Sequence, residues 1–182
     1  MISLKTNRLI ISDHEYSDLD AMHKLLSHET AMYYLQDIKT ETLEESMENL
    51  TIAINEANSE NRKKYFFKMV YSDTGEYVGE IGFTVTQDTP MGKIVNLGYF
   101  ILPEFWGQGF VTEAAKAVIS FAFEEADVVK VQTGCIKDNK GSEKIMQKLG
   151  MIKEADYKMH VWHDNKFKDR VEFRILKEEW DK

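Results

Sequence analysis

Residues 96–125 read NLGYFILPEFWGQGFVTEAAKAVISFAFEE, and no other stretch limits the fold as tightly. A short apolar run closes at Pro103, Gly107 and Gly109 flank Gln108, and an amphipathic helix begins at once. Proline fixes φ and removes a backbone donor, which ends the strand. Glycines admit positive φ and let a ligand approach the backbone closely. Ala114, Ala115, Val118, Phe121 and Ala122 then recur at helical spacing on one face. A strand handed to a helix in this way aims free N–H groups, with partial positive charge behind them, at an anion. A pyrophosphate fits such a cradle, and Thr112 adds a hydroxyl. A nucleoside-triphosphate loop needs Gly-Lys-Ser/Thr, and no lysine is present. A dinucleotide fingerprint needs a third glycine where Thr112 stands, and the strand comes too late in the chain. A glycine turn that only joins strand to helix is the other reading, and Gly-x-Gly alone does not separate the two.

The rest of the chain supplies a sheet for that helix to cover. Residues 8–12, RLIIS, form a first strand, followed by a helix with Leu19, Met22, Leu25 and Leu26 at helical spacing and Ser17 or Asp18 as its cap. Thr42 with Glu45 three residues on is a capping box, and Leu43, Met47, Leu50 and Ile54 make one stripe behind it. Two strands joined at SDTGE follow, then a third running into Pro103. After the glycine pair and its helix come a strand, VVKVQTGCI, a helix ending at Gly150, and two last strands around HDNK. A central meander followed by alternating strands and helices predicts an α/β or α+β sheet flanked by helices.

Composition narrows the partners. A chain of 182 residues without linker or repeat suits one domain, 1–182. Its net charge of −8 argues against nucleic acid and leans toward a cationic partner such as an amine. No apolar run reaches the roughly 18 residues of a membrane span, and the N-terminus carries no secretory pattern. A single cysteine, Cys135, allows no internal disulfide and fits a reducing cytoplasm. Histidine spacing predicts no metal site: there is no His-Glu-x-x-His, and His160 and His163 face opposite sides of a strand.

The segment LGYFILPEFWGQGFVTEA resembles the acetyl-CoA site of the GNAT superfamily of N-acetyltransferases, and most of all the subgroup of ribosomal-protein N-terminal acetyltransferases. TNRLIIS, GEYVGEIGF, DNKGSEKIMQKLGM and VEFRILKEEW resemble further parts of that fold in the expected order. The resemblance implies a mixed, mostly antiparallel seven-stranded sheet, splayed in the middle and flanked by about four helices. It implies acetyl-CoA as co-substrate, its pantetheine along Phe100, Ile101 and Leu102, and its pyrophosphate on the backbone of Trp106, Gly107, Gln108, Gly109, Phe110, Val111 and Thr112. Val111 departs from the small residue usual there.

The same resemblance gives the chemistry: direct attack of a primary amine on the thioester in a ternary complex. The acceptor is a protein N-terminal amine or a small molecule. Asn139 and Ser142 head the apolar stripe of Ile145, Met146 and Leu149. Asn139 either caps that helix or, as the resemblance implies, reaches the pantetheine together with Ser142. Many relatives use a tyrosine where Met146 stands, so Ser142 is the candidate donor to the leaving sulfur. A glutamate common in relatives is Asn96 here. Glu80 is the candidate base through a water, or else an exposed strand carboxylate, with Glu172 and His160 behind it. Tyr33, Tyr34 and Leu35 either pack or line the acceptor pocket. Cys135 reads as a core residue. The alternative function is a non-catalytic CoA- or acyl-CoA-binding module, and the chain is a monomer or a homodimer.

Overall fold

The computed structural model describes residues 1–180, so the last two residues of the expected 1–182 domain lie outside it. The strands are β1 (Ser3–Lys5), β2 (Leu9–Ser12), β3 (Lys64–Tyr71), β4 (Tyr77–Thr89), β5 (Gly92–Ile101), β6 (Val128–Ile136), β7 (Ile152–His163) and β8 (Lys166–Leu176). The helices are α1 (Leu19–Leu26), α2 (Leu43–Ala57), α3 (Phe110–Glu125), α4 (Lys140–Lys148) and α5 (Lys177–Trp180). The strands hydrogen-bond in the order β1-β2-β3-β4-β5-β6-β8-β7, and β5 runs parallel to β6. The expected mixed, mostly antiparallel GNAT sheet is therefore present with eight strands rather than seven, because β1 is too short for a periodicity to reveal. The segment expected as a closing strand turns helical at Lys177.

The chain divides into two compact units, Met1–Thr84 with Gly98–Val118, and Val85–Leu97 with Ile119–Lys182. In the first, β2, β3 and β4 pair antiparallel in the registers Ser12↔Lys68 and Lys68↔Glu80. The α2 capping box forms as the sequence predicts, Thr42 Oγ1 accepting from Glu45 N at 3.2 Å and Glu45 Oε2 from Thr42 N at 3.2 Å. Such a cap is worth about 1 kcal/mol. The N-cap of α1 is Asp18, but its carboxylate makes no cap bond to the helix. Met22, Leu26, Met32 and Leu50 form a buried cluster that Leu35, Ile54 and Phe100 join from its margin. Ser46 ties α2 to α1 and the intervening loop through His23 Nδ1 at 2.9 Å and Thr40 Oγ1 at 2.7 Å. Beside this, Asp13 and Arg62 make a buried ion pair at 2.6 Å.

In the second unit, β5 pairs with β6 from Lys93↔Val128 to Asn96↔Gln132, and Thr133 Oγ1 donates to Leu97 O at 2.8 Å. β6 pairs with β8, and β8 with β7, through a hairpin whose turn residues Asp164 and Asn165 have φ of 51° and 55°. Two left-handed residues match the twist of the flanking strands, which is why Asp-Asn closes HDNK. Val95, Val131, Met146, Leu149, Val171 and Phe173 are among its buried residues.

Candidate active site

Three backbone facts build the cradle at the head of α3. Pro103 starts a short 3-10 turn whose carbonyl accepts the Trp106 N–H at 3.0 Å. Gly107 and Gly109 then take φ of 74° and 83°, where an L side chain is strained. Glu113 N is the first α3 donor to find a carbonyl, that of Gly109 at 3.0 Å. The N–H groups of residues 107–112 have no acceptor among the described residues. Six consecutive donors thus stand at the positive end of a 16-residue helix. Trp106 drops out of the donor run, because its amide is already bonded. Its indole Nε1 donates to Ile101 O at 3.1 Å, and half of the residue is exposed.

The strand edge before the cradle is also partly engaged. Leu102 N donates to Val78 O at 3.1 Å, so this amide has a partner within the chain. Phe100 packs at the margin of the α1–α2 cluster. Strands β4 and β5 approach so closely that a Cβ on Gly79 would stand 2.4 Å from Phe100 O, which only glycine avoids.

A latch that the sequence reading missed holds the cradle. The Glu113 carboxylate, in the first turn of α3, accepts from Thr6 Oγ1 at 2.7 Å, Arg8 N at 2.8 Å and Arg8 Nε at 2.7 Å. Arg8 Nη1 donates to Gln108 O at 3.0 Å, and its guanidinium lies over the Phe110 ring at 4.3 Å. Burial pushes the Glu113 carboxyl up, but the Thr6 and Arg8 bonds outweigh it and hold the group below its ordinary value. The signal in the sequence was Arg8 beside Thr6 and Glu113 beside Thr112, with nothing to join them over 105 residues.

Glu80 is not an exposed strand carboxylate. It is 9 % exposed, and Tyr77 Oη donates to its Oε1 at 2.8 Å. Burial pushes its pKa up to about 7, opposed by the Tyr77 bond and reinforced by the charge of Asp18. Asp18 in turn takes both carboxylate bonds from Lys68 Nζ at 2.8 Å, and Lys68 lies opposite Glu80 in the sheet. His14 stands 3.8 Å from Asp18, but burial lowers its pKa to about 4, so it is neutral at pH 7 and the contact is not an ion pair. A buried carboxyl poised near neutrality is suited to take a proton.

In the second unit, Asn139 is the N-cap of α4, its Oδ1 accepting from Ser142 N at 3.1 Å. Burial pushes the Cys135 thiol up, against a hydrogen bond from the Ser142 side chain that pulls it down. Cys135 is buried, as expected of a core residue. Glu172 pairs with Arg170 at 2.5 Å, and His160 stacks on Tyr157 at 4.6 Å, so both weaker candidates for the base have structural partners. Among the described residues no group of three His, Cys, Asp or Glu stands ready to hold a metal, and no helix is long and apolar enough to cross a membrane.

Residues 8–152 match the family model of the acetyltransferase (GNAT) domain. The chain belongs to the acetyltransferase (GNAT) family. This acetyltransferase is 26% identical over 179 residues to YnaD, an uncharacterised N-acetyltransferase of Bacillus subtilis (strain 168), covering 98% of this chain and 99% of the relative. Among solved structures, it is similar to the ribosomal-protein-S5-alanine acetyltransferase of Vibrio fischeri, with a TM-score of 0.84 at 17% identity over 99% of each chain. Spermidine N-acetyltransferase of Vibrio cholerae, in complex with CoA and spermine, gives a TM-score of 0.82 at 16% identity, covering 96% of this chain and 99% of its own. At those identities the two structures carry the fold and not the acceptor. Of the three positions where the resemblance leads one to expect another residue, Met146 and Val111 are buried and Asn96 is exposed.

Proposed function

We propose that the protein is an acetyl-CoA-dependent N-acetyltransferase that moves an acetyl group to a primary amine by direct attack in a ternary complex. The observation that carries this reading is the run of six unaccepted N–H groups at residues 107–112, a cradle that suits the pyrophosphate of CoA. Phe100 and Ile101 at the end of β5, and Leu102 after it, lie along the proposed path of the pantetheine, with the Leu102 N–H and the Ile101 carbonyl bonded within the chain rather than to it. Ser142 is the donor to the leaving sulfur, and Asn139, through the cap, holds the first turn from which Ser142 projects. Glu80 takes the proton from the acceptor ammonium through a water. An α-ammonium titrates near 7.7 to 8.0 and a lysine-type ammonium near 10.4, so the first yields its proton to Glu80 at far smaller cost. The acceptor proposed first is therefore an α-amine such as a peptide N-terminus. The spermine complex keeps small polyamines as the second class to test. The chain acts as one domain, 1–182, and its single cysteine fits the cytoplasm.

Calorimetric titration with acetyl-CoA, dephospho-CoA and ATP tests the cofactor, and turnover with peptides and polyamines tests the chemistry. Tight binding of acetyl-CoA ahead of ATP, with turnover of a free peptide N-terminus, is expected. Binding without turnover of any amine leaves a CoA-binding module. No binding by the folded protein refutes the reading.

A further inference from the structure

We infer that Arg8 is a positioning residue for the cofactor: it locks the donor run at residues 107–112 into its binding shape before CoA arrives. The inference rests on the cradle being the CoA site. A loop carrying Gly107 and Gly109 is costly to order, because glycine gives up the most conformational freedom. Arg8 meets it at three points. Nε holds Glu113 in the first helical turn at 2.7 Å, Nη1 holds the Gln108 carbonyl between the two glycines at 3.0 Å, and the guanidinium plane covers Phe110 at 4.3 Å. Nη2 lies 3.6 Å from where a Cβ on Gly109 would stand, so the same group flanks the second glycine. Fixing the Gln108 carbonyl sets the peptide plane that also carries the Gly109 N–H. Fixing Glu113 sets the helix turn that carries the donors of residues 110–112.

Only arginine fits this task. Its planar fork offers five donors in a fixed array, whereas the lysine ammonium is one compact charge that cannot reach carboxylate and carbonyl in the same geometry. Removing the guanidinium does not release the helix from the connection between β1 and β2. Glu113 keeps the bonds from Thr6 Oγ1 and Arg8 N, neither of which depends on the Arg8 side chain. The side chain therefore acts on the loop between the glycines more than on the fold. An order imposed in advance lowers the cost of binding and shows as affinity.

The test measures dissociation constants for CoA and dephospho-CoA with the parent, Arg8→Gln and Arg8→Lys, beside thermal melts of each. Both ligands carry the pyrophosphate, and only CoA carries the 3′-phosphate. Arg8→Gln is expected to weaken both ligands equally, by about 10- to 100-fold. Arg8→Lys is expected to recover little of that loss, while both variants melt cooperatively. The inference is overturned by affinity within about threefold of the parent in Arg8→Gln, by a loss confined to CoA, or by full rescue in Arg8→Lys. Should Arg8→Gln not fold, Arg8→Lys decides alone on the same criterion. If the parent itself binds neither ligand, the CoA site is refuted and the inference with it, an outcome visible without any variant.

Discussion

Glu80→Gln should make the protein more stable and less active, and both effects should follow pH. Glutamine keeps the shape of the side chain and an oxygen to accept from Tyr77 Oη, so the 2.8 Å contact survives. What it removes is the charge. A pKa moved from 4.5 to about 7 makes the ionised carboxylate about 3 kcal/mol less stable in the folded protein than in the unfolded chain. Between these values the folded state holds the proton that the unfolded state has lost, so this group's contribution to stability is full below 4.5 and falls as pH rises through about 7. Glutamine has no such fall. Melting temperatures of parent and variant should lie close together near pH 4.5 and diverge by about 6–12 °C at pH 8, the variant being higher. In the same window kcat/KM of the parent should rise through about pH 7, whereas the variant should lose about 10²- to 10⁴-fold and show no such limb. A melting difference that does not grow with pH, or one in favour of the parent, would refute the burial argument. An unchanged rate would refute Glu80 as base and leave the stability argument standing.

Gly109→Asp, which puts a carboxylate and a Cβ into a left-handed loop position, should abolish acetyl-CoA binding in calorimetry, by more than about 100-fold, in a protein that still melts cooperatively. Ser142→Ala should lower kcat by about 10- to 100-fold with little change in the KM for acetyl-CoA, since the donor acts on the sulfur as it leaves; equal effects on both would point to binding instead. Arg62→Met leaves the Asp13 carboxylate buried without its 2.6 Å partner. It should cost about 3 kcal/mol or more in urea denaturation at neutral pH, and a cost below about 1 kcal/mol would show that the pair does not support the fold.

Much of this protein was decided by sequence alone because the deciding forces act within a few residues. The Thr42–Glu45 capping box, the left-handed Asp164–Asn165 turn and the positive φ of Gly107 and Gly109 all appear where the chain chemistry put them. The apolar face of α3 is read as easily, since helical spacing brings Ala114, Ala115 and Val118 to one side whatever lies opposite, and all three are buried. Tertiary structure decided the rest. Whether Glu80 faces water or the interior depends on what covers its strand, and period-two alternation does not say. Burial, helped by the charge of Asp18 and opposed by the Tyr77 bond, turned an ordinary carboxylate into one whose pKa is pushed up to about 7. The Arg8–Glu113 latch joins residues 105 positions apart. Local propensity fixes where a donor can point. The dielectric around a charge, and the partner at the far end of a long side chain, come from packing of segments distant in sequence.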